Sequence, residues 1–89
     1  MARMFIRHRV GDYDAWRRVY DGFAPSQQAL GVKAEAVYRS ADDPNDVTVT
    51  HDFDTIEAAH AFAGSPDLRA AMESAGVDGA PTVWFTNRA

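Results

Sequence analysis

Two of the three histidines in this chain of 89 residues stand where an imidazole is unusual. His8 falls in the run MFIRHRV, where Met4, Ile6 and Val10 share its side at a spacing of two; His51 falls in VTVTHDF, where Val47, Val49 and Phe53 do the same. Alternation of this kind places both rings on the apolar face of a strand. Burial and neighbouring charges move an imidazole pKa across neutrality, so His51 and His8 are the candidate catalytic bases. If the two strands run antiparallel, His8 near the end of one faces the start of the other, and the rings flank one ligand without touching. The competing role is structural, with each ring bonded to Tyr20, a Trp N–H or a backbone carbonyl.

The other candidates would bind rather than react. Trp16, Tyr20, Tyr38 and Trp84 can wall a pocket for a flat aromatic substrate, with their polar tips orienting a hydroxyl or quinone oxygen. Plain core packing competes for Trp16 and Tyr20, which lie on a helical stripe. Arg7, with Arg9, offers a cation for an anionic oxygen or a developing enolate; pairing across a dimer interface or exposure to solvent is the alternative. His60, among alanines, is expected to point to water.

No metal site is expected, because the histidines show neither HxH nor HxxxH spacing and no carboxylate joins His8 on its strand face. No glycine-rich loop precedes a helix to cradle phosphate. Ser26, Ser40, Ser65 and Ser74 read as caps, turns or surface, which leaves a serine hydrolase without a nucleophile.

The elements that must hold these groups follow from the pattern around them. Met4 to Val10 reads as a strand ended by Gly11, and Asp12 caps a helix carrying the stripe Tyr13, Trp16, Tyr20, Phe23, Gln27 and Leu30. Pro25 predicts a break near Ala24, a short segment follows through Ala29, and Gly31 terminates it. Lys33 to Ser40 is a second strand, joined by the turn-rich ADDPND to a third over Val47 to Phe53. Asp54 and Glu57 have capping-box spacing ahead of a helix with Ile56, Ala59, Phe62 and Ala63 on one side. That helix breaks at Gly64, restarts at Ser65-Pro66 and stops at Gly76; Pro81 to Thr86 makes a last strand.

The order strand, helix, strand, strand, helix, strand predicts an α+β protein of the ferredoxin-like split-βαβ type, one domain over residues 1–89. Four antiparallel strands carry both helices on one face. The other face holds Phe5, Arg7, Arg9, Thr48 and Thr50, with either Val37 and Arg39 or Ala36 and Tyr38. Such a face is too apolar to stay bare, so a homodimer stacked sheet on sheet is expected. A domain this small buries only about 60–65% of its unfolded surface, which makes a partner useful.

The formal charge of −4 is spread along the chain without a basic patch, so nucleic acid is not an expected partner. No apolar run approaches the roughly 20 residues that span a bilayer, and no membrane is expected either. Absence of cysteine excludes disulfides and thiolate chemistry and fits a reducing cytoplasm.

The aromatic helix YDAWRRVYDGF, the hairpin YRSADDPNDVTV and the run FDTIEAAHAFAGSPDLRAAM resemble the dimeric α+β barrel proteins. These include the antibiotic biosynthesis monooxygenases, small polyketide cyclases and stress-responsive relatives. The monooxygenases usually carry Glu-x-Trp or Glu-x-Phe where this chain has His51-Asp52-Phe53, and a histidine where it has Phe62. The resemblance therefore implies the architecture and a small-molecule pocket, not a matched catalytic set.

The expected function is a cofactor-independent enzyme acting on an aromatic or polyketide-type small molecule between sheet and helices. The reaction is either oxygenation of a substrate that supplies its own electrons or an aldol-type cyclisation, with His51 or His8 as base. Tyr20, Tyr38 or Trp84 would hold the oxyanion. The alternative is a non-catalytic ligand-binding or stress-related dimer whose pocket is small or filled by its own aromatics.

Overall fold

In the computed structural model, which describes residues 1–89, the chain runs β1 (Ala2–Val10), α1 (Tyr13–Gly22), α2 (Ala24–Ala29), β2 (Ala34–Arg39), β3 (Asp46–Phe53), α3 (Ile56–Ala63), α4 (Pro66–Ser74) and β4 (Val77–Asn87). The strands form one antiparallel sheet in the order β2-β3-β1-β4, and the helices lie on one of its faces. This is the ferredoxin-like α+β architecture that the element order predicts.

Local chemistry accounts for most boundaries. The Asp12 carboxylate accepts from the backbone N–H groups of Asp14 and Ala15 and so caps α1. Pro25 separates α1 from α2, and the Ser65 hydroxyl, followed by Pro66, caps α4 by accepting from the Asp67 N–H. Gly76 ends α4 with φ 75°, a conformation that a side chain disfavours.

Two boundaries differ from expectation. Thr55, not Asp54, caps α3, because its hydroxyl accepts from the Ala58 N–H while Asp54 turns toward Lys33. The last strand begins at Val77 and not at Pro81. Between the pairs Arg7↔Thr82 and Arg9↔Asp78, β4 carries extra residues in a bulge, and Gly79 with φ 78° lets the turn-like sequence Asp78-Gly79-Ala80 stay in the sheet.

The core lies between sheet and helices in two clusters. Met4, Ile6, Phe53, Ala59, Phe62 and Leu68 fill one end, and Val10, Trp16, Val47, Val49 and Ala75 the other. On the opposite face Phe5 and Trp84 stack with ring centroids 5.0 Å apart and planes parallel. The register pairs Ala36 with Thr50 and Tyr38 with Thr48, so Ala36 and Tyr38 share this open face while Val37 packs inward. Three ion pairs also lie on it. Arg3 and Arg7 grip Asp52 and Asp46 in bidentate fashion, with closest approaches of 2.6 Å, and Arg9 meets Asp43.

Candidate active site

His8 and His51 both face the helices, and both are buried, at 6% and 2% exposure. The register sets their separation: Met4 stands opposite His51 and Val47 opposite His8. Four residues of strand rise therefore part the two positions, about 14 Å along the sheet. Ile6 and Val49, paired across the ladder between them, form the floor of the space that the two rings flank.

Helix α1 supplies Trp16, Val19 and Tyr20 to the same space, Phe23 joins them from the residue that follows it, and α4 supplies Leu68, Ala71 and Met72. The cavity between them measures about 40 Å³, room for a few water molecules and not for a fused ring. Trp16 stacks on Tyr20 at 5.0 Å, and its ring is 5.7 Å from that of His8; Tyr20 lies 6.4 Å from His51, and Phe62 backs His51 at 4.9 Å.

None of the four imidazole nitrogens has a hydrogen-bond partner in the protein. The expected structural bonds to Tyr20, a Trp N–H or a carbonyl are therefore not made. Desolvation disfavours the charged ring in each case. Burial pushes His51 down to about 4 against a weaker opposing pull from Asp52, and lowers His8 against a similar pull from Asp46. At neutral pH both rings are uncharged, so each keeps a lone pair able to accept a proton.

Tyr20 does not offer its hydroxyl to the cavity. It donates to the Glu35 carboxylate on β2 and presents its ring edge and face inward. Burial, then that hydrogen bond and the charge of Glu35, raise its pKa, so it stays a neutral donor. The other polar residue on the wall is Gln27, 4% exposed. Sequence reading placed Gln27 on the helical stripe but gave it no role; a lone amide in an otherwise apolar stripe was the available signal.

The structure thus brings together His8, His51, Trp16 and Tyr20. It does not bring Tyr38, Trp84 or Arg7 to them, because strand alternation turns these three onto the open sheet face. There Tyr38 is 57% exposed, Trp84 stacks on Phe5, and Arg7 is engaged by Asp46 within its own chain. His60 is exposed on α3 and rests against Phe85 at 4.2 Å. No group of three or more His, Asp or Glu residues is arranged to hold a metal ion.

A ferredoxin-like α+β domain enclosing imidazoles between sheet and helices is the class that fold and site define. The chain belongs to the antibiotic biosynthesis monooxygenase family, whose model matches residues 1–74.

Solved structures share the whole fold. A candidate antibiotic biosynthesis monooxygenase from Bordetella bronchiseptica superposes with a TM-score of 0.85 at 17% identity, covering 99% of this chain and 96% of its own. SnoaB, a cofactor-independent oxygenase from Streptomyces nogalater, gives 0.81 at 12% identity, covering 99% and 92%. Rv0793 from Mycobacterium tuberculosis gives 0.70 at 18% identity, covering 100% and 96%. At these identities the likeness speaks for the fold alone. No curated protein matches the chain in sequence.

Proposed function

We propose that this protein is a cofactor-independent monooxygenase acting on an aromatic or polyketide-type small molecule, with His51 as base and His8 at the far end of the same cavity. One observation carries the reading: two buried imidazoles, free of protein partners, face a single apolar space. An unpartnered buried polar group costs stability, so its presence twice in one cavity favours use over structure.

The chemistry asks little of the protein. The neutral imidazole takes a proton from an acidic C–H or O–H of the substrate, leaving a carbanion or phenolate. A pKa near 4 makes His51 a weak base in the resting cavity, but an anion formed beside it stabilises the imidazolium strongly in low dielectric. The anion gives one electron to dioxygen, and the substrate radical and superoxide combine into a C–O bond. The peroxide takes the proton back from the imidazolium. Loss of water, with the O–O bond breaking, then turns one CH₂ and one O₂ into one C=O and one H₂O. The same base without oxygen would make the enolate of an aldol-type cyclisation.

A second reading is favoured by the volume. A resting cavity of about 40 Å³ suits a non-catalytic protein for a small ligand unless a wall moves. The open sheet face, with its Phe5–Trp84 stack and exposed Tyr38, fits a homodimer joined sheet to sheet. We place the protein in the cytoplasm on its lack of cysteine; no helix is long and apolar enough to cross a membrane.

The test is titration with a panel of anthrones, quinols and linear aromatic polyketides, following tryptophan fluorescence and oxygen uptake together. Quenching with oxygen uptake that His51→Ala abolishes is the expected result. Uptake unchanged in His51→Ala removes His51 as the base, and quenching without uptake supports a cyclase or carrier.

A further inference from the structure

Tyr20 and Gln27 line two pockets at once, the apolar cavity of the imidazoles on one side and, on the other, a second pocket of about 200 Å³ beside β2. These two side chains are the wall between the imidazoles and that pocket. Three charged residues, Asp21, Lys33 and Glu35, line the outer side. Asp21 is paired with Arg17 at 3.0 Å, and Lys33 lies 3.8 Å from Asp54. Glu35 has no such ion pair. Arg17 is close enough to feel its charge but is held by Asp21, and the hydrogen bond that Glu35 accepts comes from the Tyr20 hydroxyl.

A half-buried phenol latched to an exposed carboxylate is open to exchange. A ligand arriving in the outer pocket with an O–H donor replaces the Tyr20 bond with one of the same kind, and a ligand without a donor must break it uncompensated. Trp16 stacked on Tyr20 gives the inner side an aromatic surface suited to a ring. An ammonium would face desolvation on entering the apolar cavity, and an anion meets repulsion from Glu35.

We propose that Glu35 selects the substrate: a ring bearing a phenolic hydroxyl takes Glu35 from Tyr20, which opens the Tyr20–Gln27 wall and frees the Tyr20 hydroxyl to hold an oxyanion beside His51. The proposal rests on the base-catalysed reading above and supplies what the resting site lacks, a donor not already engaged. It also explains how a cavity too small for a ring admits one. Glu35 acts in binding and Tyr20 as the group released.

The test uses the full chain with Trp84→Phe, which leaves Trp16 as its one tryptophan. Its fluorescence is titrated with benzene-1,4-diol and with 1,4-dimethoxybenzene, a ring of the same shape without a donor. The diol is expected to bind at least about tenfold tighter, the worth of a hydrogen bond to a charged acceptor. Tyr20→Phe, with an unchanged circular dichroism spectrum, removes the latch and tightens both ligands by a similar factor, preserving their ratio. Glu35→Ala removes latch and acceptor together, so the ratio collapses to about one. Equal affinities in the parent protein, weaker diol binding in Tyr20→Phe, or a ratio that survives Glu35→Ala overturns the proposal. His51-dependent oxygen uptake alongside equal affinities overturns the role of Glu35 alone. Diol preference without uptake on any substrate overturns the oxygenase reading and leaves the selection by Glu35 standing.

Discussion

Glu35 stands directly across the β2–β3 ladder from His51, yet gives its carboxylate to Tyr20 and leaves the imidazole without a partner. Residues paired in an antiparallel ladder share a face, and their Cβ atoms lie about 5 Å apart, so an ion pair with a protonated His51 was within reach of the fold. The arrangement instead leaves His51 neutral and ties Glu35 to Tyr20 on the cavity wall. The two unpartnered nitrogens of His51 cost stability and leave a lone pair free.

Replacing that ring with an apolar one should reveal the trade. His51→Leu removes two unsatisfied nitrogens from a buried site and is expected to stabilise the fold by about 1 kcal/mol at pH 7 while eliminating turnover. Urea unfolding at constant m-value, beside the oxygen-uptake assay, measures both. A destabilised His51→Leu would mean that the imidazole makes a stabilising contact after all.

Acid should act on the same residue. The His51 pKa falls from 6.5 unfolded to about 4 folded, so the unfolded chain binds more protons across that interval. The contribution is fully present above about pH 6.5 and is lost as pH falls toward 4, about 3 kcal/mol in all, with His8 shifting in the same direction. The lowered carboxyls of Asp43, held by the Asn45 N–H and Arg9, and of Asp46 and Asp52, held by Arg7 and Arg3, add acid sensitivity as pH falls through the ordinary carboxylate range and below it, equally in parent and variant. Chemical denaturation from pH 7 to 4 should therefore show a steep loss in the parent protein and a shallower one in His51→Leu. Equal slopes would contradict the assignment.

The start of α3 gives a sharp comparison. Thr55→Ala should cost about 1 kcal/mol by removing the cap on the Ala58 N–H. Asp54→Ala, which loses an exposed contact with Lys33 at 3.8 Å, should cost less than about 0.5 kcal/mol. Thermal or urea unfolding of the two variants decides between the caps, and the reverse order would reinstate Asp54.

The open sheet face carries the dimer prediction. Trp84→Glu places a charge beside Phe5, where the rings stack at 5.0 Å, and is expected to turn a dimer into a monomer in light scattering with the far-ultraviolet spectrum unchanged. A parent protein that is monomeric at every concentration, or a variant that still dimerises, removes this face as the interface.

Much of the fold was legible because its signals are local. Alternation around His8 and His51 assigned their faces, and Asp12, Pro25 and Ser65-Pro66 marked helix boundaries, since caps and proline act within a few residues of chain. The local signals failed where two neighbours competed. Asp54 and Thr55 are both good caps, and only the path of the chain into α3 chose Thr55. The last strand was expected from Pro81, and only pairing with β1 extended it back to Val77 through the bulge at Gly79.

By itself the sequence determined which residues share a side of the first and third strands and of the first helix, and so that His8, His51, Trp16 and Tyr20 point into the layer between sheet and helices, while the faces of the second strand stayed open until the β2–β3 register was known. It could not determine which of the outward-facing residues stay apart from that layer's chemistry. Tyr38, Trp84 and Arg7 carry suitable groups, but the sheet lies between them and the imidazoles. Only the tertiary structure decided the distances across elements: the offset of the two imidazoles in the β1–β3 register, the closing of α1 and α4 over a 40 Å³ space, and the reach of Tyr20 to Glu35 fifteen residues away. The physical reason is that side-chain direction follows from backbone periodicity within one element, whereas separation depends on how elements pack, which no single stretch of chain encodes.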